Sequence, residues 1–120
     1  MRADMLTSVL TELNGTSGDI EASGVISTDG LMIAAVLPAG MDEDRVGAMS
    51  AAMLSLGDRT AQELARGALE QVLIKGAKGY VLMTYAGDES VLTVLAKPNA
   101  KLGLIFLDVK RAAVSIAELL

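Results

Sequence analysis

Acidic clusters are the side chains in this chain that come closest to a catalytic or metal-binding pattern. Asp42-Glu43-Asp44 are consecutive at the predicted start of a helix, and Asp88-Glu89 lie in a predicted turn. Adjacent side chains at a helix start do not converge on one ion, whereas they complement the positive end of the helix dipole. The chain has no histidine and no cysteine, which excludes zinc sites and nucleophile systems built on those residues. We therefore predict no catalytic residue, no metal site and no enzymatic activity.

Gly76-Ala77-Lys78-Gly79 is the one glycine-rich segment that resembles part of a phosphate-binding loop. It lacks the full spacing of that motif, which requires a lysine followed by serine or threonine after the second glycine. It also stands between two predicted strands and not before a helix whose N-terminus could hold an anion. The sequence therefore predicts no nucleotide-binding site and no cofactor.

Three strands are predicted in the second half of the chain, at residues 69–74, 80–86 and 91–96. The connections are short and contain glycine or proline, so neighbouring strands must run antiparallel. Apolar side chains stand at consecutive positions, as in Val81-Leu82-Met83, which is typical of a sheet that is covered on both faces.

The first half of the chain predicts a helix, two strands and a long helix, and a last helix follows the three strands. The first helix covers residues 3–13, with Gly15 as its C-cap, and strands at 20–28 and 31–37 flank a type I′ turn at Asp29-Gly30. The long helix covers residues 42–65, and the last covers 100–120 with Asn99 as its N-cap. We expect one domain, residues 1–120.

The long helix has two unusual faces. One carries a stripe that we expect to pack on the sheet, namely Val46, Met49, Met53, Leu56, Thr60 and Leu64. The other carries small residues where a solvated helix is normally charged, namely Ala48, Ala51, Ala52 and Ser55. A small-residue face suits the close approach of another helix, although an alanine surface that contacts nothing would give the same pattern.

Composition favours a protein whose surface is covered in part by another chain. The sequence is 52% hydrophobic, and its mean hydropathy is +0.46, which is high for a monomer in water. The longest uncharged runs, residues 30–41 and 46–57, have 12 residues each, whereas a membrane-spanning helix needs about 20. A net charge of −5 without a basic cluster argues against nucleic acid as a partner. We expect no membrane insertion and a cytoplasmic location.

Several segments together resemble the Roadblock/dynein light chain family, and within it the bacterial MglB-like regulators of Ras-like GTPases. They are GVISTDGL at 24–31, the alanine-rich long helix, LEQVLI at 69–74, GYVL at 79–82, VLA at 94–96 and KLG at 101–103. The resemblance implies an α/β sandwich with a profilin-like architecture and helices and strands in the order αββαβββα. Its five-stranded antiparallel sheet has the order 2-1-5-4-3, with the long helix on one face and the other two helices on the opposite face.

The resemblance also implies a homodimer formed by the third strands and the long helices. The corresponding residues are Leu69, Gln71, Val72, Leu73 and Ile74 on the strand, and Ala48, Ala51, Ala52 and Ser55 on the helix. The implied partner is a small Ras-like GTPase whose nucleotide cycle or localisation the dimer modulates. We expect this contact at the end of the long helix, at Arg59, Gln62, Glu63 and Arg66. A structural scaffold, a dynein-light-chain-like protein and a small-molecule sensor are the alternative functions.

Overall fold

A computed structural model describes residues 2–120 and contains three helices and five strands. In chain order they are α1 (Arg2–Thr16), β1 (Ile20–Ser27), β2 (Met32–Val36), α2 (Glu43–Glu63), β3 (Gln71–Gly76), β4 (Gly79–Tyr85), β5 (Ser90–Ala96) and α3 (Leu102–Leu119). The strands form one antiparallel sheet in the order β2-β1-β5-β4-β3. The predicted fold class, with its element order and strand order, is confirmed.

Two apolar cores lie on opposite faces of the sheet. The larger joins α1 and α3 to the sheet through Leu10, Leu92 and Ile105, which are fully buried or nearly so. The smaller joins α2 to the sheet through Leu54, Met83 and Val91. Strands β4 and β5 are covered on both faces as predicted, because successive side chains of one strand enter different cores. Strand β3 is the exception, since most of its residues are exposed.

The turn between β1 and β2 is where the sequence predicted it, but it is not of type I′. That turn type requires positive φ at both central residues, and among the described residues Ala65 is the one non-glycine with positive φ. In this turn Gly30 is the one residue with positive φ, at 94°. The Gly30 N–H donates to the Ser27 carbonyl and the Ser27 N–H donates to the Leu31 carbonyl, both at 2.9 Å. The hairpin therefore has a three-residue loop that ends on a glycine.

The helix ends differ from prediction at two places. Helix α1 continues through Gly15 to Thr16, so Gly15 is not its C-cap. Helix α3 begins after Lys101, and Asn99 is not its N-cap. Instead, the distant Asp19 carboxylate accepts the Lys101 N–H at 3.2 Å, which occupies one backbone amide at the helix start. Asp42 caps α2 by accepting two backbone N–H bonds.

Helix α2 is rotated relative to the orientation that its apolar stripe predicts. Gly47, Ser50 and Leu54 face the sheet and are buried, whereas Met49, Leu56 and Leu64 are more than half exposed. The predicted packing of that apolar stripe on the sheet is therefore wrong. The reason is the short distance between helix and turn: a Cβ added to Gly47 would lie 2.6 Å from the Gly30 carbonyl oxygen. Only a residue without a Cβ fits beside this turn, so Gly47 faces it, and Met49 and Leu56 point outward.

A buried hydrogen bond fixes this rotation of α2. The Thr93 hydroxyl of β5 donates to the Ser50 hydroxyl at 2.9 Å, and both residues are almost completely buried. A buried polar group that loses its partner costs more than the bond itself contributes. The pair therefore favours the one rotation of α2 in which Ser50 stands over Thr93.

We expect Ser50→Ala and Thr93→Val each to lower the free energy of unfolding by about 1–3 kcal/mol, because each leaves one hydroxyl buried without its partner. The double variant should lose less than the sum of the two, since it removes both hydroxyls together. Urea unfolding of the four proteins gives the coupling energy. Strictly additive losses would contradict a specific role for this bond.

Candidate interaction surface

Strand β3 is an edge of the sheet, and one side of its backbone has no partner strand among residues 2–120. It pairs with β4 from Gln71↔Thr84 to Gly76↔Gly79 across a two-residue turn. The closing pair of such a turn must exchange both of its hydrogen bonds, and bonded pairs then alternate along the ladder. Val72 and Ile74 therefore direct their backbone groups to β4. The backbone N–H and C=O groups of Gln71, Leu73 and Lys75 point to the free edge.

The side chains of β3 divide between the two faces of the sheet. Val72 belongs to the core beneath α2, and Ile74 follows on the same face because side chains alternate along a strand. Leu73 points to the opposite face, where α1 and α3 lie. Leu73 is 39% exposed and Ile74 is 36% exposed. An exposed strand edge with apolar side chains on both faces is a template for pairing with another chain.

The outward face of α2 is apolar and adjoins this edge. Met49 is 64% exposed and Leu56 is 60% exposed, and Met53 lies between them on the same side of the helix. Helix α2 crosses above the start of β3, because Gly57 packs directly against the Val72 and Leu69 side chains. We call Met49, Met53, Leu56 and the β3 edge together the apolar edge surface.

The small residues predicted for the dimer interface lie beside this surface. Ala48, Ala52 and Ser55 are exposed and Ala51 is half-buried. Ala52 adjoins Leu56 and Met49 on the helix surface, since neighbours on a helix are three or four residues apart. Ala51 instead faces the β1–β2 turn, where it would contact a Cβ on Gly30.

The predicted partner-binding residues are all exposed at the C-terminal end of α2. Arg59 and Glu63 form an ion pair along the helix, with 3.4 Å between Arg59 Nε and Glu63 Oε1. Beyond the helix end, Arg66 Nε donates to the Leu64 carbonyl at 3.0 Å. Ala65 adopts the left-handed conformation, and the Arg66 N–H bonds back to the Ala61 carbonyl, which is a Schellman motif. The motif turns the chain and holds Arg66 near the last turn.

The methionine and leucine side chains of α2 are the members of this surface that sequence reasoning missed. Their apolar character was visible, but an apolar stripe on a helix normally indicates the core-facing side. The available signal was the opposite stripe, since Gly47 and Ser50 recur on the side that packs on the sheet. In such a helix, the face with the small residues can pack on the sheet, and the apolar face on the other side remains available to another chain.

Neither a metal centre nor a membrane span is found in residues 2–120. No three acidic side chains in that range are grouped closely enough to hold a metal ion. Likewise, none of the helices described above combines the length and hydrophobicity needed to cross a bilayer.

Comparison with known proteins places this geometry in a family. Residues 6–96 match the Roadblock/LC7 domain. An uncharacterised protein of Methanocaldococcus jannaschii is 46% identical over 112 residues, which cover 93% of this chain and 96% of that protein.

Two solved structures have a similar fold. A structure of MglB in a tetrameric arrangement has a TM-score of 0.90 at 20% identity, covering 98% of this chain and 89% of MglB. Acanthamoeba castellanii profilin IB has a TM-score of 0.67 at 18% identity, covering 95% of this chain and 97% of the profilin. These identities are low, so the likenesses establish the fold, which is profilin-like. With most of its length matched by one domain profile, the chain belongs to the Roadblock/LC7 family.

Proposed function

We propose that this protein is a non-catalytic, homodimeric adaptor that binds a small Ras-like GTPase and modulates its nucleotide cycle. The observation that carries the proposal is the apolar edge surface, in which the unpaired edge of β3 adjoins exposed methionine and leucine side chains. Such a combination on a protein in water marks an interface with another chain. A second copy of this chain is the proposed occupant.

A two-fold axis through the β3 edge would cover both parts of the surface together. Antiparallel pairing of β3 with its symmetry mate extends the sheet from five strands to ten. When that axis stands perpendicular to the sheet, both α2 helices remain on the same face and lie side by side across it. Backbone pairing and helix packing then form one isologous interface.

The exposed side chains of α2 suggest where the helices would meet. We place the centre of the helix contact at Met49, Met53 and Leu56, with Ala52 at its border. Ala48, Ala51 and Ser55 would lie further from the axis than the small-residue pattern predicts. The strand contact keeps Gln71, Val72, Leu73 and Ile74 of the predicted edge. The predicted strand at 69–74 begins two residues later in the structure, so Leu69 precedes β3 and packs in the core beneath α2. Leu69 therefore takes no part in the proposed strand pairing.

The proposal of a GTPase partner is supported by resemblance and by the charged end of α2. The chain resembles the MglB-like regulators, and a two-fold arrangement would present two copies of Arg59, Gln62, Glu63 and Arg66. A polar, arginine-containing region beside an apolar centre is typical of protein interfaces. An adaptor that favours one nucleotide state needs only a differential affinity for the two states of the GTPase, without a catalytic side chain. In this proposal the adaptor acts in the cytoplasm.

We expect the double substitution Arg59→Glu and Arg66→Glu to weaken GTPase binding about 10–100-fold and to leave the dimer intact. The change reverses two charges at the proposed contact, and like charges across an interface oppose association. Calorimetric titration should use a Ras-like GTPase loaded with GDP or with a non-hydrolysable GTP analogue. Lys97→Glu with Lys101→Glu is the matched control. Both lysines are exposed and follow the last residue of β5, at the end of the sheet away from the C-terminus of α2.

Three outcomes decide between this proposal and its alternatives. Binding that prefers one nucleotide state, together with no GTP hydrolysis by the protein alone, supports the regulator. Binding with equal affinity for both states and unchanged GTP turnover would indicate a scaffold. GTP hydrolysis that remains after repeated purification would contradict a non-catalytic adaptor.

A further inference from the structure

A small cavity lies beside α2, between the helix and the ends of three strands. Its volume is 160 Å³, which is enough for the tip of a long side chain. The apolar part of its lining is Ala51, Leu54 and Val91. Four side chains with an oxygen atom complete it, namely Thr28, Ser55, Asp58 and Tyr85.

The charge in this cavity is not neutralised. Asp58 is half-buried, and its carboxylate forms no hydrogen bond or ion pair with any other residue in the described range 2–120. The lining contains no lysine or arginine. Burial, and secondly the Asp58 carboxylate, raise the pKa of the Tyr85 hydroxyl above its ordinary value. Tyr85 therefore stays neutral at physiological pH and can donate or accept a hydrogen bond.

More negative charge is gathered around the same end of the sheet. The Thr28 N–H donates to the Glu89 carbonyl at 3.1 Å, which joins the β1–β2 turn to the β4–β5 turn. Asp29, Asp88 and Glu89 are exposed on these two turns. Acidic groups near a recessed anion attract cations and raise their local concentration.

We propose that this cavity binds the basic side-chain tip of a partner protein, a lysine ammonium or an arginine guanidinium. The charged group would be bound by the Asp58 carboxylate and the neighbouring hydroxyl oxygens, and its methylene stem would lie beside Ala51, the partly exposed apolar residue of the lining. A metal ion is the less suitable cation, since residues 2–120 contain no group of three acidic ligands. Identification of the partner as the GTPase rests on the proposed function, whereas the preference of the cavity for a cation does not.

The cavity would stay open in the proposed dimer. Ser55 on its rim and Met53 on the apolar edge surface are two residues apart, which places them roughly 160° apart around the helix. Gln62 follows Asp58 by one helical turn, on the same flank. A partner that contacts the end of α2 could therefore reach the cavity without displacing the second copy.

The test is a titration with n-butylammonium chloride as the probe and n-butanol as its neutral match. Binding is monitored by the NMR chemical shifts of the backbone amides. We expect butylammonium to shift the amides of Ser55, Asp58 and Tyr85, and butanol to bind at least tenfold more weakly. Asp58→Asn should weaken butylammonium binding at least tenfold. Asp88→Asn makes the same charge change on an exposed turn and should leave the affinity within about twofold. Equal affinity of the two probes, or of wild type and Asp58→Asn, would overturn the proposal.

A second arm separates a protein side chain from a free amine. The peptide acetyl-Gly-Lys-Gly-amide should bind like butylammonium, and its Nε-acetylated form should not. Binding of butylammonium without the lysine peptide would overturn the assignment to a partner protein. Ser55→Leu fills the cavity mouth and should abolish both interactions without a change of charge. Because these probes contain no GTPase, a positive titration stands even if GTPase binding fails, and the reverse also holds.

Discussion

Leu73→Pro is expected to convert the dimer into a folded monomer. The Leu73 N–H points to the free edge of β3, at the middle of the outward-facing groups of Gln71, Leu73 and Lys75. Proline removes this donor and inserts a ring where the partner strand would pair, whereas an edge position tolerates proline within the monomer. We expect the dimer dissociation constant to rise at least about 100-fold, or about 2.7 kcal/mol. Sedimentation equilibrium would then give the 12.4 kDa chain mass instead of twice that value.

Two neighbouring substitutions serve as matched controls for this result. Val72→Pro removes a backbone N–H that bonds to Met83 of β4, so it should destabilise the monomer itself. Leu73→Thr removes apolar area and keeps the N–H, so it should weaken the dimer much less than Leu73→Pro. An unmodified protein that is monomeric at high micromolar concentration, or a Leu73→Pro variant that remains dimeric, would contradict strand pairing through β3.

The local part of the sheet could be predicted from the sequence alone. The turns at Ala77-Lys78 and after Tyr85 are too short for anything but antiparallel neighbours, so the order β3, β4, β5 follows from their lengths. The pairing of β1 with β5 is different, because about half of the chain separates the two strands. No local pattern specifies that pair, and the complete order 2-1-5-4-3 was predicted through the family resemblance.

The rotation of α2 could not be predicted, because several large apolar side chains of this helix are exposed, whereas the small residues Gly47 and Ser50 are buried. An apolar stripe is expected on the core side of a helix, yet Met49 and Leu56 are exposed. The side that packs on the sheet is decided by how closely the backbone can approach, which depends on Gly47 and on its contact with Gly30. That contact brings together residues from two distant elements, so it becomes visible only in the folded structure.

The candidate surface was accordingly predicted in part. Gln71, Leu73 and Ile74 of β3 and the charged end of α2 are exposed, whereas Leu69 and Val72 are partly buried beneath α2. The roles of all these residues remain predictions. The apolar face of α2 was missed because it was assigned to the core. The Asp58 cavity was missed because Thr28, Asp58 and Tyr85 come from three elements and show no common spacing.

Gly47→Ala should reverse the usual effect of this substitution in a helix. Replacing glycine by alanine inside a helix normally stabilises a protein by about 1 kcal/mol. Here the new Cβ would lie 2.6 Å from the Gly30 carbonyl oxygen, which is a backbone atom of a hydrogen-bonded turn and cannot move aside cheaply. We expect the free energy of unfolding to fall by about 3 kcal/mol, at the upper end of overpacking costs. Urea unfolding monitored by circular dichroism would measure the loss.

The controls are two helical glycines that have open space around them. A Cβ added to Gly15 or Gly103 would meet no atom within 4 Å, so Gly15→Ala and Gly103→Ala should leave stability unchanged or raise it slightly. If Gly47→Ala raises stability as well, helix and turn are not in the close contact described here, and the outward direction of Met49 and Leu56 loses its physical cause. If it destabilises as expected, then α2 must shift away from the sheet. The displaced helix would also separate Ser50 from Thr93 and weaken the proposed dimer, because both depend on the same rotation of α2.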